Sequence, residues 1–126
     1  MKLADLLAAK AAVSLFFGLA FVVAPKECMS LMAVDLDPNG ALLARMVGAC
    51  LAGIGLVCWL SRQAEAKARA GVALALCLAD ALGFVIVLVG QLGGLMNGLG
   101  WIIVVLWGVF ALGLGYFRFL KPESDG

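Results

Sequence analysis

Two charged side chains stand where their neighbours would be at home in lipid. Asp80 lies in "LCLADALGFV", residues 76–85, and Arg45 in "ALLARMVGACLAGIG", residues 41–55. A carboxylate in such a run can bind and release a proton or an ion, or it can pair with a cation and fix how helices pack. Other chemistry has fewer candidates. Histidine is absent, which removes imidazole ligation of haem, zinc or chlorophyll-type pigments and any histidine general base. The four cysteines, Cys28, Cys50, Cys58 and Cys77, form no C-x-x-C pair, and three of them sit in apolar runs, where a thiol behaves as a small hydrophobe. Cys28, Met29 and Met32 are soft enough to suit Cu(I), but no repeated Met or Cys array supports a metal site. No catalytic residues and no metal ligands are assigned.

The elements that must position these groups follow from composition. Of 126 residues, 65% are hydrophobic and only 13% charged, against roughly 45–50% and about 25% in a soluble domain. The expected fold is an all-α, integral membrane four-helix bundle forming one domain, 1–126. A span needs about 20 mainly apolar residues, and four runs qualify: about 6–24, 38–60, 70–90 and 99–119. The first begins like a signal peptide, yet Pro25 follows its only late small residue, so it is expected to be retained, with Lys10 reaching back to the near interface. Asp37 and Pro38 are a good N-cap and first-turn pair for the second span. The polar stretch "SRQAEAKAR" ends it. The glycine-rich "GQLGGLMNGLG" is a turn, lacks the lysine of a phosphate loop, and offers Asn97 as a cap. In the outer loop, 25–37, Met29, Met32 and Leu36 fall at helical spacing and predict a short interfacial helix.

Direction follows from lysine and arginine placement. Arg62, Lys67 and Arg69 lie in the second loop, and Arg118 and Lys121 near the end of the chain. The first loop carries Lys26 against Glu27, Asp35 and Asp37. Both termini are therefore expected on the cytoplasmic side.

Helices associate in lipid through close packing of small residues and through polar contacts. Ser14 and Gly18 on the first span, Ala44, Gly48 and Ala52 with Gly55 on the second, a further pair Ala49 and Gly53, and Gly108 with Gly115 on the fourth have the needed spacing. Depth then suggests a partner for Asp80. Counted from the outer ends, Arg45 lies ~9 Å and Asp80 ~16 Å into their spans at 1.5 Å per residue. An arginine side chain bridges that offset if the two helices touch, as helices joined by a ten-residue loop are expected to. A lone charge at mid-membrane costs ~2.5–3.5 kcal/mol, so Asp80 either pairs with Arg45 or takes up a proton. Arginine has no such second route.

Small multidrug transporters, fluoride channels and the proteolipid of rotary ATPases are similar in size, but their diagnostic residues are missing here. The sequence does resemble the DoxX-like group of small bacterial inner-membrane proteins. The shared features are a first helix ending in proline, a Gly-rich second helix opening with arginine ("ALLARMVGACLAGIGLVCWLSR"), and a tryptophan-led last helix ("NGLGWIIVVLWGVFALGLGYF"). That resemblance implies an accessory protein of a bacterial inner membrane rather than a particular chemistry. The expected function is a non-enzymatic structural or accessory subunit of a larger membrane complex. Its partners would be membrane lipids and other transmembrane subunits or further copies of itself, not nucleic acid. One alternative is a small proton- or ion-coupled carrier using Arg45 and Asp80. Another is binding of a lipid, quinone or carotenoid-like molecule in apolar grooves, with no cofactor of the protein's own.

Overall fold

A computed structural model describes residues 1–122; the last four positions of the "KPESDG" tail lie outside the described residues. Five α-helices follow in order: α1 Leu3–Val23, α2 Pro25–Ser30, α3 Pro38–Ser61, α4 Ala66–Leu92 and α5 Gly100–Gly115, the last continued by a π-helical turn over Tyr116–Leu120. Four segments, α1, α3, α4 and α5 with its π-turn, are long and apolar enough to cross a membrane, the mark of an integral membrane protein. Most large apolar side chains point outward, among them Phe16, Leu43, Leu82, Ile86 and Leu112. Lipid is the solvent that such a surface fits.

Local sequence accounts for the ends. Asp37 caps α3 by accepting the Gly40 N–H at 2.6 Å, with Pro38 in the first turn. Asn97 accepts the Leu99 N–H at 3.0 Å just ahead of α5. Helix α4 starts earlier than the polar stretch predicts, because alanine, lysine and arginine all favour helix and "AKARA" simply extends the first turn. The outer loop holds only the six-residue α2; beyond Ser30 the chain turns, and Ala33 adopts a left-handed φ of 59°. That turn lets Met32 O accept the Asn97 N–H at 3.0 Å while Asn97 Nδ2 donates to Leu31 O at 2.9 Å. The two loops at this end of the molecule are thereby clipped together.

The helices pack as two pairs. Helix α1 runs along α3, and α4 along α5; contacts between α3 and α4 are sparse. In the α1–α3 seam the backbones nearly touch. A Cβ on Gly18 would lie 2.6 Å from Ala52 N, and one on Gly48 would lie 2.6 Å from Gly18 O. Gly55 closes on Leu15 and the Ala11 carbonyl in the same way. Gly108 packs on the Phe84 ring and Gly115 on Cys77 Sγ, both between α4 and α5. Ser14 is buried on α1, and Ala44 is half-buried. Gly53 and Ala49 do not belong with them: both are exposed, and nothing lies within 4 Å of where a Gly53 Cβ would be. The face of α3 that meets α1 is the one carrying Gly48, Ala52 and Gly55, which turns the Ala49–Gly53 face outward.

The buried core occupies one half of the bundle's length. Leu3, Leu6, Leu7 and Ala11 from α1 meet Cys58, Ala73, Leu76, Phe110, Leu114 and Phe117 at the end where the chain begins. The other half, towards Met29, Met32 and Met96, is less completely filled.

Candidate functional site

Where the core ends, an ion pair crosses between the two helix pairs. Lys10 Nζ donates to Asp80 Oδ1 at 2.8 Å, with side chains only 7% and 2% exposed. The arrangement corrects two expectations. Lys10 does not reach back to the near interface, and Asp80 does not pair with Arg45, which is exposed on α3. The reason is helix adjacency: α3 is committed to α1 by its glycine seam, so α3 and α4, though joined by the short 62–65 connection, touch each other little. The sequence did hold a signal for Lys10. From Val23 it lies roughly 20 Å down α1, and Asp80 lies roughly 18 Å from Leu92 down α4 at 1.5 Å per residue. Equal depth on helices of the same direction is what a bridging pair needs. Arg45, roughly 10 Å from Pro38 by the same rise, is too near the methionine end.

Aromatic rings complete the lysine's surroundings. Lys10 Nζ stands 4.8 Å from the centroid of Phe110 and 5.9 Å from that of Trp107. Cation–π contact of this kind is stronger where water is excluded. Trp107 can lie there because Gly83 leaves room: a Cβ on Gly83 would run into the indole ring. The glycine one turn beyond Asp80 thus sets how closely Trp107 approaches the pair.

Beyond the pair lies a cavity of about 260 Å³, half open to the surroundings, with the exposed Val47 on its lining. Helix α1 contributes Lys10, Val13, Ser14, Phe17 and Phe21, one continuous helical face. Helix α4 contributes Asp80 and Val87, α5 contributes Ile103, Leu106, Trp107 and Phe110, and α3 adds Val47 and Leu51. Met29, Met32 and Met96 close the far end, under the clip made by Asn97. Cys28 lies apart from this lining, its thiol donating to Ala20 O at 3.7 Å, so the soft trio Cys28, Met29 and Met32 does not converge. The lining is apolar apart from Lys10, Ser14 and Asp80. One acceptor of the lining is left over: Asp80 Oδ2 is buried without a hydrogen-bond partner among the described residues.

Comparison with protein-family models, curated proteins and solved structures finds no match for this chain. The site therefore has to be read from its own chemistry. It offers an apolar chamber with polarisable sulfur at one end, flat aromatic faces along its side, and a neutralised charge pair at the other end.

Proposed function

We propose that this chain is a small inner-membrane binding protein, with both termini cytoplasmic, that holds one apolar molecule with a polar head between its two helix pairs and does no chemistry of its own. The observation that carries this reading is the cavity with its single polar end at Lys10 and Asp80. Ligand sites are mostly apolar concavities with a few polar groups that set orientation. A volume of about 260 Å³ lies just below the roughly 300–1,000 Å³ usual for small-molecule pockets. It suits a single ring or a single chain, not a two-chain phospholipid or a long carotenoid. Methionine side chains adapt to irregular apolar shapes, which fits their place at the closing end. A hydrated ion would find little here to replace its water, so ion conduction is the weaker use of the same space.

The test is what the protein carries out of the membrane. Solvent extracts of the purified protein, read by mass spectrometry, are expected to contain one apolar compound near equimolar amount and enriched over bulk lipid. Val87→Phe, which fills the chamber from α4, is expected to lose it. The same bulk-lipid profile from both proteins would refute the reading.

A second reading, an accessory subunit of a larger assembly, is favoured by a separate observation. Arg45 lies exposed on α3, in line with the small residues Ala49 and Gly53 on its outward face. An arginine in that position is well placed to meet a carboxylate on a neighbouring transmembrane helix. If so, mild-detergent purification retrieves a stoichiometric membrane partner from wild type and loses most of it from Arg45→Leu; recovery of the chain alone from both would count against the assembly.

A further inference from the structure

We propose that the molecule held in the cavity has an uncharged head that donates a hydrogen bond, a hydroxyl on a single ring, and that Asp80 Oδ2 accepts it. This deepens the binding reading and rests on it. The argument is an asymmetry in what the polar end of the chamber leaves unsatisfied. The Lys10 ammonium is engaged on two sides, by Asp80 Oδ1 at 2.8 Å and by the ring faces of Phe110 and Trp107. Asp80 has one oxygen so engaged and a second, Oδ2, that is buried with no donor among the described residues. The side chain is 2% exposed and lines the cavity. The site therefore presents an acceptor in want of a donor, and a buried acceptor left unmatched is costly.

Charge and shape narrow the head further. The lysine and the carboxylate neutralise one another, so an anionic or cationic head would bring an uncompensated charge into an apolar chamber. A carbonyl or ether head could accept from Lys10 or Ser14, which also line the cavity, but it has no hydrogen to give Asp80 Oδ2 and leaves that oxygen unmatched. A hydroxyl meets both conditions. Phe17, Phe21, Trp107 and Phe110 give the chamber flat aromatic faces, against which a ring packs in offset or edge-on contact. The class is a phenol-like molecule with an apolar substituent reaching towards the methionines.

Two probes that differ only in the donor test this: radiolabelled 4-butylphenol and its methyl ether, 4-butylanisole, bound to the protein in lipid nanodiscs. Simple partitioning into lipid favours the ether, so a preference for the phenol has to come from the site. The phenol is expected to bind saturably and roughly ten- to hundredfold more tightly than the ether, the span of a hydrogen bond to a charged acceptor. In Lys10→Met/Asp80→Leu, which keeps the chamber but removes both charges, the phenol's advantage over the ether is expected to disappear. Equal affinity for both probes in the wild-type protein overturns the inference while leaving the binding reading standing, as does a phenol preference that survives in the double variant. Saturable binding of neither probe, to either protein, overturns both.

Discussion

Asp80→Asn is expected to lower the stability of the detergent-solubilised protein by about 3–5 kcal/mol, the usual cost of removing one partner from a buried ion pair. The physical reason is Lys10. Its ammonium is 7% exposed at mid-helix and has no second carboxylate to turn to within hydrogen-bond distance among the described residues. Asparagine keeps an oxygen that can accept from the ammonium, and Phe110 and Trp107 keep their ring contacts, but none of these carries the negative charge that balances it. Lys10→Met/Asp80→Leu, by contrast, is expected to be close to wild type or more stable, since apolar side chains of similar volume commonly replace a buried pair without loss. Exchanging the charges, Lys10→Asp with Asp80→Lys, is expected to recover part of what either single change loses. Thermal unfolding followed by tryptophan fluorescence measures each variant against the wild type. An Asp80→Asn protein as stable as the wild type would show that the pair contributes nothing to holding the helix pairs together.

Gly48→Leu is expected to separate α1 from α3 and prevent recovery of a monodisperse folded protein. Even Gly48→Ala is expected to cost about 1–3 kcal/mol, the range for overpacking. The added methyl would lie 2.6 Å from Gly18 O and 2.9 Å from Val22 N, backbone atoms that no side-chain rotation can move away. Relief requires the two helices to move apart along the whole seam. That motion gives up the dispersion contacts that hold helices together where water exclusion gives no help. Gly53→Leu, on the same helix five residues on, is the control. Its position is exposed with nothing within 4 Å, so size-exclusion profile and unfolding temperature are expected to match the wild type. Equal damage from Gly48→Leu and Gly53→Leu would mean that helix propensity, not the seam, governs the effect.

Gly18, Gly48 and Ala52 were legible as packing residues because small-residue spacing along one helix is a local pattern, and close approach in lipid depends on it. Ala49 and Gly53 have the same spacing and face outward. A stripe of small residues tells that a helix can pack closely there, not that a neighbour in the same chain does so. The capping of α3 by Asp37 and the turn at Asn97 were likewise readable, each depending on residues within a few positions. The cavity was not, since it is a space left between α1, α3, α4 and α5, and no single stretch encodes a gap.

Asp80 gathers both halves of that lesson. Hydropathy alone determined that four helices form and that a charge at the middle of one of them must be neutralised, because the cost of a charge in an apolar medium does not depend on the details of the fold. Which cation neutralises it was decided by tertiary structure. Arg45 is nearer in sequence and Lys10 is seventy positions away, yet the bond is Lys10 Nζ to Asp80 Oδ1. Glycine seams commit α3 to α1, while Gly83 and Gly108 let α4 and α5 pack closely through Trp107 and Phe84. Where the two pairs meet, Lys10 and Asp80 stand at one depth, and Arg45 is left on the outer surface. Loop length suggests which helices are neighbours; the sum of many short-range packing contacts, spread over all four, decides it.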